Sequence, residues 1–164
     1  MATAVIMPKQ GQSVETCIIT KWFKTKGEML KECKNPKMLQ AGIHSTMSCS
    51  RPLAGRFHGR PVGQHCGYCV PCIIRRAALK VCGLDSEPRQ RDVLDTNISP
   101  DEAAGFDKRA FLMAIERLQK MSRMQIASEI ISTGPIQSSD IEGLVDLYVR
   151  GMGEVGSFIK QTSS

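Results

Sequence analysis

Cys49, Cys66, Cys69 and Cys72 stand in the pattern C-x16-C-x2-C-x2-C, and no other feature of the chain restricts its fold as much. Thiolates are soft, charged ligands, and four of them arranged tetrahedrally satisfy a zinc ion without leaving a position for water or substrate. The pattern therefore points to a structural zinc site, one that holds a fold together and performs no chemistry. The C-x2-C-x2-C run crowds three sulfurs into one turn, where Gly67 supplies backbone freedom and Pro71 stiffness. The fourth ligand comes from across the loop Arg51–His65, which holds two prolines and three glycines. Such a loop packs poorly by itself, and closing it on a metal replaces the missing core.

Other readings of the same cysteines stay open. Reduced cysteines are often plain core residues, and an iron-sulfur cluster uses the same ligand type. A disulfide framework fits less well, because the total of seven cysteines is odd and no secretory signal precedes them. His65, next to Cys66, reads as a solvated loop histidine, with replacement of a ligand or a hydrogen bond to a sulfur as the alternatives. Cys17, Cys33 and Cys82 read as ordinary thiols.

The formal charge is +6 over 164 residues. Between Cys49 and Leu84 stand Arg51, Arg56, Arg60, Arg75, Arg76 and Lys80, with no Asp or Glu. Zinc held by four thiolates carries a formal charge of about −2, so part of this basic cluster supports the site. The remainder is free to meet a phosphate, an acidic protein or RNA. Sequence-specific reading of nucleic acid is the weaker expectation, since no array of aromatic residues is present for stacking on bases. No apolar run is long enough to span a bilayer, and a reducing cytoplasm is the expected location.

Taken in order, the chain reads as an α+β fold, mainly α-helical, with an N-terminal β-hairpin before a zinc-stapled helical domain. Residues 1–23 supply the hairpin, from strands at Ala4–Met7 and Glu15–Phe23. Residues 24–84 supply a helix and the four-cysteine region. Thr25-Lys26-Gly27-Glu28 is a capping box for a helix that stops at Asn35-Pro36, and Pro36 starts a further short turn. Ile73–Cys82 is a helix ended by Gly83. Residues 85–98 form a linker loop with Val93-Leu94 as a local anchor. Residues 99–164 are helical, opening on a capping box at Ser99-Pro100-Asp101-Glu102 and breaking near Ser122. Asp140 caps a last helix that turns Leu144, Leu147, Val155 and Phe158 inward, and three glycines weaken its second half.

Residues 1–23, with Met7-Pro8 and the stretch Trp22 to Gly27, resemble the opening of the lipoyl domain of dihydrolipoamide acyltransferases from 2-oxo-acid dehydrogenase complexes. The likeness covers fewer than thirty residues, and the Asp-Lys-Ala turn that carries lipoate in that family is missing. A truncated lipoyl module without its lysine is therefore one alternative reading.

The rest resembles another family. Thr25 to Met29, Ser48-Cys49, Cys66-Gly67-Tyr68-Cys69-Val70-Pro71-Cys72, Arg75-Arg76-Ala77 and Arg150 to Val155 look like the C-terminal part of 7-cyano-7-deazaguanine synthase (QueC). The nearer likeness is to its paralogue QatC of the Qat anti-phage defence system. The resemblance covers residues 24–160 and implies zinc at Cys49, Cys66, Cys69 and Cys72, beside a domain that binds ATP and adenylates a carboxylate. The phosphate-cradling Ser-Gly-Gly-x-Asp-Ser loop of that domain is absent from this sequence, so no activity is expected of the chain by itself.

In the complete setting the resemblance implies a region that closes a nucleotide site or holds a protein partner of a defence or modification complex. Lys26, at a helix N-terminus, is the first candidate for contact with a phosphate or other anion, and Arg75 and Arg76 are the next. A non-catalytic basic zinc module for nucleic acid or protein is the other alternative. The meeting of two resemblances at Trp22 to Gly27 reads as a fusion.

Overall fold

The computed structural model describes residues 25–53, 55–56, 59, 63–95, 98–99 and 101–160, and the backbone alone of 3–5 and 17–19. The described chain is mainly helical. The expected N-terminal hairpin is not supported: beyond a backbone pairing of Thr3–Val5 with Cys17–Ile19, residues 1–24 lie outside the described residues.

The first helix, α1 (Lys26–Lys31), opens on the expected capping box. Thr25 Oγ1 accepts from the Glu28 amide at 3.2 Å and a Glu28 carboxylate oxygen accepts from the Thr25 amide at 2.7 Å. It ends earlier than Asn35-Pro36, because Glu32 already leaves helical geometry. Pro36 starts a second helix, not a short turn: α2 (Pro36–Ile43) has Asn35 as its cap, accepting from the Met38 amide at 3.0 Å, and proline in its first turn.

The central helix, α3 (Val70–Val81), starts directly from the cysteine run. It buries Cys72, Ile73, Arg76, Ala77, Ala78 and Leu79, so most of its circumference is covered, as befits a central helix. Gly83, at φ +71°, ends it as expected. The Gly83 and Leu84 amides reach back to the carbonyls of Lys80 and Leu79 at 3.0 and 2.9 Å, the paired bonds of a left-handed helix stop.

Helix α4 (Ala103–Gln119) begins later than the Ser99 signal suggests. Ser99 folds a turn instead, its Oγ accepting from the Asp101 amide at 3.3 Å, while the Glu102 carboxylate turns away to Arg91 at 3.0 Å. Ser122 breaks the chain where expected and caps α5 (Arg123–Ser132) through a box with Gln125. A 3-10 turn at Ser138–Asp140 runs into α6 (Ile141–Lys160), so Asp140 lies in the turn and does not act as a simple cap.

Helix α6 stays continuous through its glycines. Its buried residues are Val145, Met152, Val155, Gly156, Phe158 and Ile159, with Leu144 and Leu147 only half-buried. A Cβ at Gly156 would lie 3.3 Å from Ile115 Cδ1, so the missing side chain lets α4 approach closely. Helices α3 and α6 form the central pair, with α1 on α3 and with α4 and α5 on α6. The core between them contains Ile73, Ala77, Val93, Val155, Phe158 and Ile159, and is continuous with Cys66, Cys69 and Cys72.

Candidate metal centre

The four cysteines expected to share an ion are brought together, their sulfurs all within 4.8 Å of one another. Cys49 Sγ lies 4.0 Å from Cys69 Sγ, and Cys66 Sγ 3.9 Å from Cys72 Sγ. A tetrahedron of sulfurs about 2.3 Å from a zinc ion has edges of roughly 3.8 Å, so the cluster can hold a metal with little adjustment. Cys66, Cys69 and Cys72 are buried and Cys49 is partly exposed.

Backbone geometry builds the cluster. The amides of Arg51 and Cys66 both donate to Cys49 Sγ at 3.3 Å, and the Cys69 amide donates to Cys66 Sγ at 3.4 Å. Cys69 is the residue at the mouth of α3 and Cys72 lies in its first turn, where the positive end of the helix favours thiolate. Gly67, at φ +87°, carries the chain between Cys66 and Cys69, and a Cβ there would meet the Arg91 carbonyl oxygen at 1.9 Å. Only glycine fits this turn.

Contact between the sulfurs decides where charge resides in the absence of an ion. Its contacts with Cys66 and then Cys72 hold the Cys69 thiol far below its ordinary range. The same contact with Cys69 pushes Cys66 up to about 12, and contacts with Cys66 and Cys69, with burial added, push Cys72 higher still. Three crowded sulfurs thus disfavour ionising together, and a bound cation would relieve that repulsion.

His65 is not a solvated loop histidine. Its side chain is 12% exposed, with Nδ1 3.7 Å from Cys72 Sγ, Nε2 3.3 Å from the Thr46 carbonyl oxygen and 3.8 Å from Glu87. It ties a ligand to the loop that leads into Cys49, the kind of outer contact that orients metal ligands.

Arg75 and Arg76 both face acidic groups of this chain. Arg75 grips Glu87 with two bonds of 2.7 and 2.8 Å, and also donates to the Ile43 carbonyl at 2.6 Å and to Thr46 Oγ1 at 3.0 Å. Buried Arg76 joins Asp92 at 2.6 Å and Asp85 at 3.2 Å, with its guanidinium 4.9 Å from the Phe158 ring centre. Arg89 bonds the same Asp85 at 3.2 Å.

Of the segment expected as a linker, residues 85–98, the described stretch 85–95 is therefore an acidic strap across α3. It also pairs with the cysteine turn, the Gln90 and Arg91 amides donating to the carbonyls of His65 and Cys66 at 2.9 and 3.1 Å. Val93 is fully buried, as its anchoring role requires. Sequence inspection does not single out Asp85, Glu87 and Asp92 as partners of the arginines. Their signal is the succession of a purely basic stretch by carboxylates directly after it.

Lys26 is exposed at the start of α1, and among the described residues it forms no ion pair. A carboxylate of the chain itself occupies the helix end beside it. Glu154, from α6, accepts from Thr25 Oγ1 at 2.8 Å and from the Gly27 amide at 3.3 Å. Arg150, one helical turn earlier, donates to Glu28 at 3.0 Å. This clamp joins two stretches more than a hundred residues apart, and sequence inspection does not pair them.

No protein-family model matches this chain, and neither a curated protein nor a solved structure with significant similarity to it was found.

Proposed function

We propose that the four cysteines hold a structural zinc ion, and that the chain is a zinc-stapled helical region of a QueC/QatC-like protein without catalytic activity by itself. The observation that carries the metal reading is the closed set of four sulfurs within 4.8 Å, three of its contacts coming from backbone amides. Four protein ligands leave no position for water, which suits a structural role.

The family part rests on the sequence motifs. It gains support from the way they converge, since Thr25–Glu28 and Arg150–Glu154 form one clamp and Arg75-Arg76 belong to the helix that carries Cys72. In this reading adenylation needs an ATP-binding loop that the sequence lacks. The region would complete a nucleotide site supplied by another domain, or hold a protein partner of a defence or modification complex.

Metal analysis with thiol titration, on protein purified without added metal, tests the reading. About one zinc per chain, with four of the seven thiols protected and both metal and fold lost in Cys69→Ser, is the expected result. Iron with visible absorption would replace zinc by a cluster. No metal, with every thiol reactive and the fold intact, would overturn the proposal.

A further inference from the structure

A second concave feature lies away from the cysteine cluster, in the angle between α1, α2 and α3. Its volume is about 370 Å³, within the range of small-molecule sites. Met29, Leu30, Leu39, Ile43, Ala78 and Leu79 form an aliphatic lining with no aromatic ring. Four polar side chains, Lys26, Thr46, Ser48 and Arg75, break the apolar surface, and Arg75 is already bound to Glu87 and Thr46. Lys26 stands at the rim without an ion pair among the described residues, and the wall includes Ser48, whose Oγ is buried with no hydrogen-bond partner among them.

The geometry points to a binding site for a small aliphatic anion, its chain among the leucine, isoleucine and methionine side chains and its charged end at Lys26. An aliphatic body suits the lining, since a flat ring would find no aromatic partner on which to stack. An anionic end suits Lys26, since the other cation of the lining, Arg75, is already paired with Glu87, and at the rim of an apolar pocket water is partly excluded and charge pairing strengthens. Ser48 Oγ, once its side chain rotates toward the cavity, offers the head group a hydrogen bond. The site depends on the metal reading only through its wall, because Thr46 and Ser48 lead directly into Cys49.

Octanoate is the probe, with octanol as its uncharged counterpart, titrated into labelled protein whose metal content has been measured first. Saturable shifts of the Leu30, Gly42, Ile43 and Leu79 amides are expected with both. Lys26→Gln should weaken octanoate roughly two- to fivefold, as for an exposed ion pair, and leave octanol unchanged. Gly42→Leu should abolish both, because a Cβ at Gly42 meets nothing within 4 Å and the added side chain fills open space.

Absence of these shifts in metal-loaded protein overturns the site and leaves the metal reading standing. Shifts in metal-free, folded protein uphold the site and remove the metal reading. Equal loss of octanoate and octanol in Lys26→Gln, or binding that survives Gly42→Leu in folded protein, also overturns it.

Discussion

A methyl group on residue 67 would sit 1.9 Å from the Arg91 carbonyl oxygen, at a backbone φ of +87°. Gly67→Ala should therefore cost about 2–4 kcal/mol and loosen metal binding, measured by urea unfolding and by competition with a chelator. Arg76 is a second residue with a large expected effect. It is buried, as is Asp85 opposite it, and removing one member of a buried pair leaves the other charge uncompensated. Arg76→Ala should cost roughly 3–5 kcal/mol in the same unfolding measurement. Asp92, in contrast, is read through pH. Burial pushes its carboxyl up, but the bonds from Arg76 and the Leu94 amide and the charges of Arg76 and Arg89 outweigh it, leaving the pKa below 3.8. Its contribution is complete above pH 3.8 and disappears as pH falls through the lowered value. Unfolding free energy followed from about pH 5 to about pH 2 should lose this component in Asp92→Asn.

At the scale of elements, the clamp of Glu154 on α1 gives a separate expectation. A Cβ at Gly27 would lie 2.3 Å from a Glu154 carboxylate oxygen. Gly27→Ala should expel that carboxylate at a cost of about 1–3 kcal/mol, the loss of hydrogen bonds to a charged group. Hydrogen exchange should show α1 amides losing protection while those in the middle of α3 keep theirs. The helices themselves are legible in the sequence where capping chemistry is local. Thr25 with Glu28, Ser122 with Gln125, and the run Cys66, Cys69, Cys72 each depend on residues three positions apart, and Gly83 marks its stop by itself. Ser99-Pro100-Asp101-Glu102 misleads because Glu102 finds a tertiary partner in Arg91, and a local pattern carries no trace of such competition. The strap at residues 85–95 looks like a linker for the same reason. It has no periodicity, and the bonds that fasten it to the rest of the molecule go to Arg75 and Arg76 and to the carbonyls of His65 and Cys66.

For the molecule as a whole, the cysteine cluster is part of the core and not an appendage to it. Cys66, Cys69 and Cys72 pack with Ile73, Val155, Phe158 and Ile159 from the two central helices, so a metal there binds the strap, the loop into Cys49 and α3 into one body. The four sulfurs are readable as a set because their spacing suits one shared ion, whereas Glu154 and the arginine partners depend on the tertiary fold. Acid should release the metal, since protons compete for the same sulfurs, and metal loss on lowering pH should accompany loss of helical circular dichroism. The most direct test of the closed staple is X-ray absorption at the zinc edge of the loaded protein. The account predicts a single shell of four sulfurs at about 2.3 Å with no nitrogen or oxygen ligand. A shell with a nitrogen or oxygen, or with fewer sulfurs, would contradict it.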